Sequence, residues 1–172
     1  MRRESAFRFH FLKGIGGHIR MVEVKFYPAD AVGNERLKYA VVAAREGERW
    51  LFSRHRLRET WELPGGHREE GEDIRDAARR ELWEETGVSQ AELTPVCVYS
   101  VFGADGPGQA APNYGMLFLA RVLRRDALPA SEMAEVRAVA ASGGVLPLPN
   151  TYPAIQPLLW EKALAAAREI WG

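Results

Sequence analysis

The sequence predicts an α+β fold, a mixed β-sheet flanked by helices in an α/β/α sandwich. Three observations lead there. Runs rich in β-forming residues interleave with helix-forming runs, without the strict repetition of βαβ units. One mid-chain segment and one C-terminal segment carry helix formers with few breakers. A length of 172 residues, nearly half of them apolar, suffices for one domain with an ordinary core.

Each element has its own local signal. Residues 22–27 alternate apolar and polar, as a half-buried strand does. Residues 28–36, with Pro, Asp, Gly and Asn, read as a turn region. Residues 39–44 form a short apolar run suited to a buried strand, and Glu46-Gly47-Glu48 turns the chain back into a strand over 49–53. A short strand is expected over 61–63, stopped by Pro64-Gly65-Gly66. Residues 73–86 lack Gly and Pro and read as a helix, which Gly87 would end. Strands are expected over 96–102 and 116–123, joined by a Gly- and Pro-containing loop over 103–115, a length typical of functional rims. A last strand over 136–140 precedes a C-terminal helix that starts near Pro153 or Pro157.

Residues 21–172 read as the single domain and residues 1–20 as an accessory arm, with Met21 as an alternative natural start. The arm is basic but has no continuous apolar stretch of the secretory type. Lys plus Arg and Asp plus Glu both total 23, so a grip on long nucleic acid driven by overall charge is not expected. Cys97 is the only cysteine, which rules out an internal disulfide and a cysteine-based metal cluster and fits a cytoplasmic setting. On an apolar strand it reads as inert core. No apolar run approaches a membrane span.

The informative stretch is 66–88. A helix advances about 100° per residue, so with Glu81 at zero, Glu85 lies at about +40° and Glu84 at about −60°. Ile74, Ala77 and Ala78 fall on the same side, at about +20°, −40° and +60°. One stripe is therefore apolar in its first turns and carries three carboxylates in its last. Those acids repel one another, and the helix C-terminus adds to the repulsion. A hard divalent cation, Mg²⁺ or Mn²⁺, is the simplest compensation. Arg80 could hold a carboxylate through its planar fork, and Gly66 would let a backbone carbonyl approach the ion.

In order, the stretch reads Gly66, five residues, Glu72, seven residues, Arg80, Glu81, Leu82, Trp83, Glu84, Glu85, Thr86, Gly87, Val88. It resembles the signature of the Nudix hydrolases, G-x5-E-x7-R-E-U-x-E-E-x-G-U with U a bulky aliphatic residue. At average residue usage a chance match is rarer than roughly one in a million. The lead-in Trp61-Glu62-Leu63-Pro64-Gly65 resembles the family as well.

The resemblance implies a mixed sheet with a loop–helix–loop that supports metal. It implies Glu81, Glu84 and Glu85 as carboxylate ligands and the Gly66 carbonyl as a backbone ligand. Arg80 would orient the acids, and Glu72 would either assist the water or brace the helix. The implied reaction is attack of water on a phosphorus of a small nucleoside diphosphate derivative. Nucleoside triphosphates, ordinary or oxidised, are the first substrate considered. ADP-ribose, other nucleotide conjugates, the 5′ end of RNA, isomerisation on the same fold and a non-catalytic nucleotide sensor are the alternatives. Short marks of the ADP-ribose, dinucleoside-polyphosphate and coenzyme A enzymes are not seen. Many relatives form homodimers.

Outside the signature, Glu132, ahead of the last strand, is the candidate general base, with Glu135 beside it and Asp105 as a further alternative. Arg54, His55, Arg56 and Arg58 form a basic cluster, and Arg54, Arg56 and Arg58 are candidates for substrate phosphate. His67, directly after Gly66, could touch phosphate or metal. Trp61, Trp83, Tyr99, Phe102, Tyr114 and Phe118 could line a base pocket or pack the core.

Overall fold

The computed structural model of the chain describes residues 8–13, 19–106, 108–141 and 144–172, with side chains from residue 21 onward. The rest of the segment read as an arm lies outside the described residues. Among the described residues, eight strands and two α-helices follow in the order β1 (Arg8–Lys13), β2 (Ile19–Tyr27), β3 (Leu37–Glu46), β4 (Arg49–His55), β5 (Gly65–His67), α1 (Ile74–Thr86), β6 (Val88–Phe102), β7 (Asn113–Arg125), β8 (Met133–Ala140) and α2 (Gln156–Trp171). They build one mixed sheet in the order β1-β2-β6-β7-β3-β4-β8, with β5 also paired to β3. The β3–β7 pair is parallel and its neighbours are antiparallel.

Side-chain parity sorts the core into two layers, because successive strand residues face opposite sides. Val41, Ala43, Trp50, Phe52, Leu117 and Leu119 turn to one face, where Leu158, Leu159, Trp160 and Ala163 of α2 cover them. Leu37, Ala40, Val42, Leu51, Met116 and Phe118 turn to the other, where Ile74, Ala77, Ala78 and Leu82 of α1 cover them. The sheet is thus packed between α1 and α2, which is the α/β/α sandwich the sequence implied. Among the described residues no helix is long and apolar enough to cross a membrane.

Helix α1 keeps its expected limits. Asp73 caps its start by accepting from the Arg75 N–H at 2.8 Å, and Asn34 Oδ1 accepts from the Ile74 N–H at 2.7 Å. Gly87 ends it at φ 78°, with its N–H donating to the Trp83 carbonyl at 2.8 Å. Helix α2 begins at Gln156, with a proline in its first turn.

Several boundaries differ from the sequence reading, and three of them change strand pairing or loop length. Strand β6 begins at Val88 rather than at residue 96, and register shifts at three places along it mask its alternation. Strand β7 begins at Asn113, so the loop between them is shorter than 103–115. The third concerns the segment around Pro64. The β3–β4 hairpin keeps only Arg45↔Trp50 and Glu46↔Arg49 paired, and residues 61–67 enter the gap between the two strands. Glu62 pairs with Ser53 of β4 through backbone bonds of 2.9 and 3.0 Å. Further along, Gly65, Gly66 and His67 pair with Val41, Ala40 and Tyr39 of β3, and the Val42 N–H donates to the Pro64 carbonyl at 2.8 Å. The longer ladder therefore forms over Gly65–His67, where a turn was expected, and 61–63 contributes only isolated bridges. Backbone pairing with β3 outweighs the low strand propensity of glycine here.

Candidate active site

Residues 61–67, the wedge between β3 and β4, and the end of α1 meet at the carboxylates. Glu85 is 5% exposed. Its Oε2 accepts from the Gly65 N–H and from the Ser53 hydroxyl, both at 3.1 Å. Burial pushes its carboxyl well above the ordinary value, and the charges of Glu62 and Glu81 add to the shift. Glu81 lies against Gly66, where a Cβ on Gly66 would come within 2.5 Å of the Glu81 carboxyl. Only glycine leaves that space free. Burial also raises the Glu81 carboxyl, against the pull of Arg80 and with the push of Glu84 and Glu132. Glu84 is further out, 3.6 Å from Arg80, with a side chain 41% exposed.

Arg80 ties the loop to the helix. Its Nε and Nη2 grip Glu72 at 2.9 Å each, Nη1 donates to Glu81 at 2.7 Å, and Nη2 also reaches the His67 carbonyl at 2.9 Å. The bidentate grip holds the Glu72 carboxyl below its usual range. Glu72 in turn accepts from the Glu69 N–H, and its carbonyl accepts from Asn34 and Arg68. Arg80 and Glu72 are therefore positioning residues for Glu81.

A cleft of about 640 Å³ opens beside this cluster and takes in Glu85, while Glu72, Arg80, Glu81 and Glu84 are not among the residues that line it. Gly65, Gly66, Glu85 and Glu132 line it, as does Glu62. Its far walls carry Tyr39, His67 and Tyr99 on one side and Asp105, Asn113 and Tyr152 on others. Asn113 Nδ2 donates to Asp105 at 2.6 Å. His67 stands edge-on to Tyr39 at 4.6 Å. Of the three candidate phosphate arginines, only Arg58 lines the cleft. Arg54 is committed elsewhere, to the Arg58 carbonyl at 3.0 Å, to Glu135 at 3.2 Å and to the face of Trp61. The Arg56 side chain is exposed outside the cleft.

The aromatic residues divide. Trp61 and Phe118 are core, and Cys97 is buried, which raises its thiol pKa to about 11. Trp83, 45% exposed, lines a surface groove with Leu82, Val88 and Leu123, away from the carboxylates. Tyr114 packs on Tyr27 and under Arg36, and Phe102 is exposed.

Three residues here escaped the sequence reading. Glu62 is 8% exposed, 3.5 Å from Arg58, and burial raises its carboxyl despite the arginine. The signal was available, as the one acid within an apolar strand-like lead-in. Ser53 and Gln156 are buried and hydrogen-bonded to Glu85 and to the Leu63 N–H. Nothing in their local sequence marks either.

The donors suit a hard divalent cation. They are oxygen ligands only, and burial still raises the Glu81 and Glu85 carboxyls although Arg80 relieves part of the repulsion at Glu81. Among the described residues no three acidic, histidine or cysteine side chains are gathered closely enough to hold a metal ion by themselves. An ion here would need substrate oxygens and water to complete its shell. The residues that would hold the ion are Glu81, Glu84, Glu85 and the Gly66 carbonyl.

Comparisons with known proteins agree with this geometry. A model of the NUDIX domain matches residues 35–151. An RNA pyrophosphohydrolase of Caulobacter vibrioides is 52% identical over 50 residues, covering 28% of this chain and 29% of that protein. Nudix hydrolase 27, chloroplastic, of Arabidopsis thaliana is 55% identical over 41 residues, 24% of this chain and 18% of that one. The matched segments thus span less than a third of either relative. Among solved structures, a Bacillus subtilis pyrophosphohydrolase shares the fold at a TM-score of 0.63 and 20% identity, over 93% of this chain and 94% of that one. An ADP-ribose pyrophosphatase from Streptococcus suis does so at a TM-score of 0.56 and 19% identity, over 76% and 90%. With a model of the NUDIX domain matched across more than half of its length, the chain belongs to the Nudix family.

Proposed function

We propose that this protein is a pyrophosphohydrolase that cleaves a diphosphate linkage in a nucleoside diphosphate derivative. The first substrate is a nucleoside triphosphate, ordinary or oxidised, converted to monophosphate and pyrophosphate. The observation that carries the reading is that Glu85 and Gly66 line a cleft large enough for a nucleotide, with the Glu81 carboxyl packed against Gly66.

A divalent cation, Mg²⁺ or Mn²⁺, would neutralise phosphate oxygens and ease deprotonation of the attacking water. The chain's own residues do the rest. Ser53 and the Gly65 N–H fix Glu85, and Arg80 fixes Glu81. Arg58, at the rim, pairs with a phosphate oxygen of the substrate. Glu132 accepts the proton as water oxygen bonds to phosphorus, and the bridging P–O bond breaks with its electrons leaving on the departing phosphate. Positioning and charge complementarity supply most of the acceleration, with no covalent intermediate.

The local identity to RNA pyrophosphohydrolases favours a second substrate, a 5′-triphosphorylated RNA end, which presents the same linkage. The test is a Mg²⁺ assay on nucleoside triphosphates, 8-oxo triphosphates, ADP-ribose, dinucleoside tetraphosphate and 5′-triphosphorylated RNA, following phosphate and pyrophosphate release. Glu85→Gln runs alongside and is expected to lose about 10³-fold in kcat. Full activity in Glu85→Gln overturns the carboxylate assignment. Tight nucleotide binding without turnover makes the chain a sensor instead.

A further inference from the structure

Strand β4 ends at His55, and its pairing with β8 changes register there. Arg54 opposes Glu135, whereas His55 opposes Met133, so Ala134 is an extra residue on β8. Such bulges bend a strand and re-aim its neighbours. Here the bend brings the segment leading into β8 over the exit of β4, and the Arg56 N–H donates to the Glu132 carbonyl at 3.0 Å. The backbone of Glu132 is therefore anchored to β4 although its side chain is 69% exposed.

The imidazole of His55 lies beneath it. His55 Nδ1 accepts the Leu57 backbone N–H at 3.1 Å. A ring nitrogen that accepts carries no hydrogen, so in the neutral ring the proton sits on Nε2. That nitrogen faces Glu132 Oε2 at 3.6 Å. The distance exceeds a hydrogen bond, as catalytic contacts often do before substrate draws the site together. His55, Glu132, Glu62 and Arg58 all line the same cleft, and the fields of Glu62 and Arg58 both reach this corner.

We infer that His55 is a positioning residue whose Nε2–H holds one oxygen of the Glu132 carboxylate, leaving the other to accept the proton of the attacking water. The role rests on the reading of Glu132 as that acceptor. It assigns the basic cluster a division of labour. Arg58 meets substrate, Arg54 braces Trp61 and Glu135, and His55 aims the base.

The experiment measures kcat and KM for His55→Phe, His55→Gln, Glu132→Gln and the double variant His55→Phe/Glu132→Gln. The substrate is the member of the panel above that is turned over fastest, with Mg²⁺. His55→Phe is expected to lose about 10- to 30-fold in kcat with KM within about twofold, the range for residues that orient a reacting group. His55→Gln, whose amide N–H reaches similarly, is expected to recover at least a third of the rate. In the Glu132→Gln background the His55→Phe change is expected to alter kcat by less than about twofold, since residues acting as a unit are not additive. A slow Glu132→Gln with a further full loss on adding His55→Phe overturns the role of His55 alone. A full rate in Glu132→Gln overturns the acceptor assignment and the role of His55 with it. A readout independent of turnover is the long-range ¹H–¹⁵N spectrum of the metal-free protein. His55 is expected in the Nε2–H tautomer, and a dominant Nδ1–H form overturns the inference.

Discussion

Gly66 and Glu62 show how single side chains set this site. Gly66 has no special backbone angle to defend; what it keeps free is the volume taken by the Glu81 carboxyl. Gly66→Ala is expected to push that carboxyl aside and lower kcat by about 10- to 100-fold. The obstructed group is the end of a side chain, so the thermal midpoint should move by less than about 1 kcal/mol of stability. Steady-state kinetics beside a melting curve check this. Glu62 carries a raised carboxyl pKa, caused first by burial. A raised value means the folded state prefers the protonated form. The stability this contributes is complete below the unfolded pKa and is lost as pH rises through the folded one. Glu62→Gln is therefore expected to melt above the wild type at pH 8, with the gap shrinking as pH falls toward 4. A gap that widens on acidification refutes the burial argument.

At the level of elements, the legible parts and the hidden parts have different causes. Helix α1 was readable from Asp73 to Gly87 because caps and periodicity are local. The wedge over residues 61–67 was not readable as it stands. Its strand character comes from partners on β3 and β4, far off in sequence, and two of its paired residues are glycines. A Cβ at Gly65 would collide with the Ala40 carbonyl, so the glycine that reads as a turn is what lets the ladder close. Arg54 was likewise unreadable, since its occupants Trp61 and Glu135 belong to other elements. The signature residues were legible in kind, while the burial of Glu85 behind Ser53 was not. The wedge is also pinned from α2, where Gln156 Oε1 accepts the Leu63 N–H at 2.8 Å in a buried setting. Gln156→Leu keeps the helix but orphans that N–H. The expected cost is about 1–3 kcal/mol, read by denaturant unfolding, with a fall in kcat because the Gly66 carbonyl rides on the same segment.

For the molecule as a whole, the sheet separates two jobs. The α1 side carries the carboxylates, and on the α2 side Ala104, Asp105, Asn113 and residues 151–155 line the cleft. If the acids hold a cation, ion binding and folding would be linked. Mg²⁺ at a hundredfold its dissociation constant is expected to add about 2.7 kcal/mol, or about 5–10 °C of melting temperature at this size. EDTA should reverse the shift, and Glu85→Gln should show little of it. An equal shift in that variant would place the ion elsewhere.

The prised-open hairpin has a consequence for how such a protein can change. Chain added within 56–60 or 68–72 leaves the pairing of 61–67 in register, although it displaces Arg58 or the Glu72 that Arg80 grips. A single residue inserted after Leu63 is another matter. It would exchange inward for outward along the whole strip, turning Gly66 away from Glu81 and placing a side chain where none fits. Appetite for new substrates can therefore drift through the rims, while the spacing from Glu62 to His67 can shift only by losing the chemistry altogether.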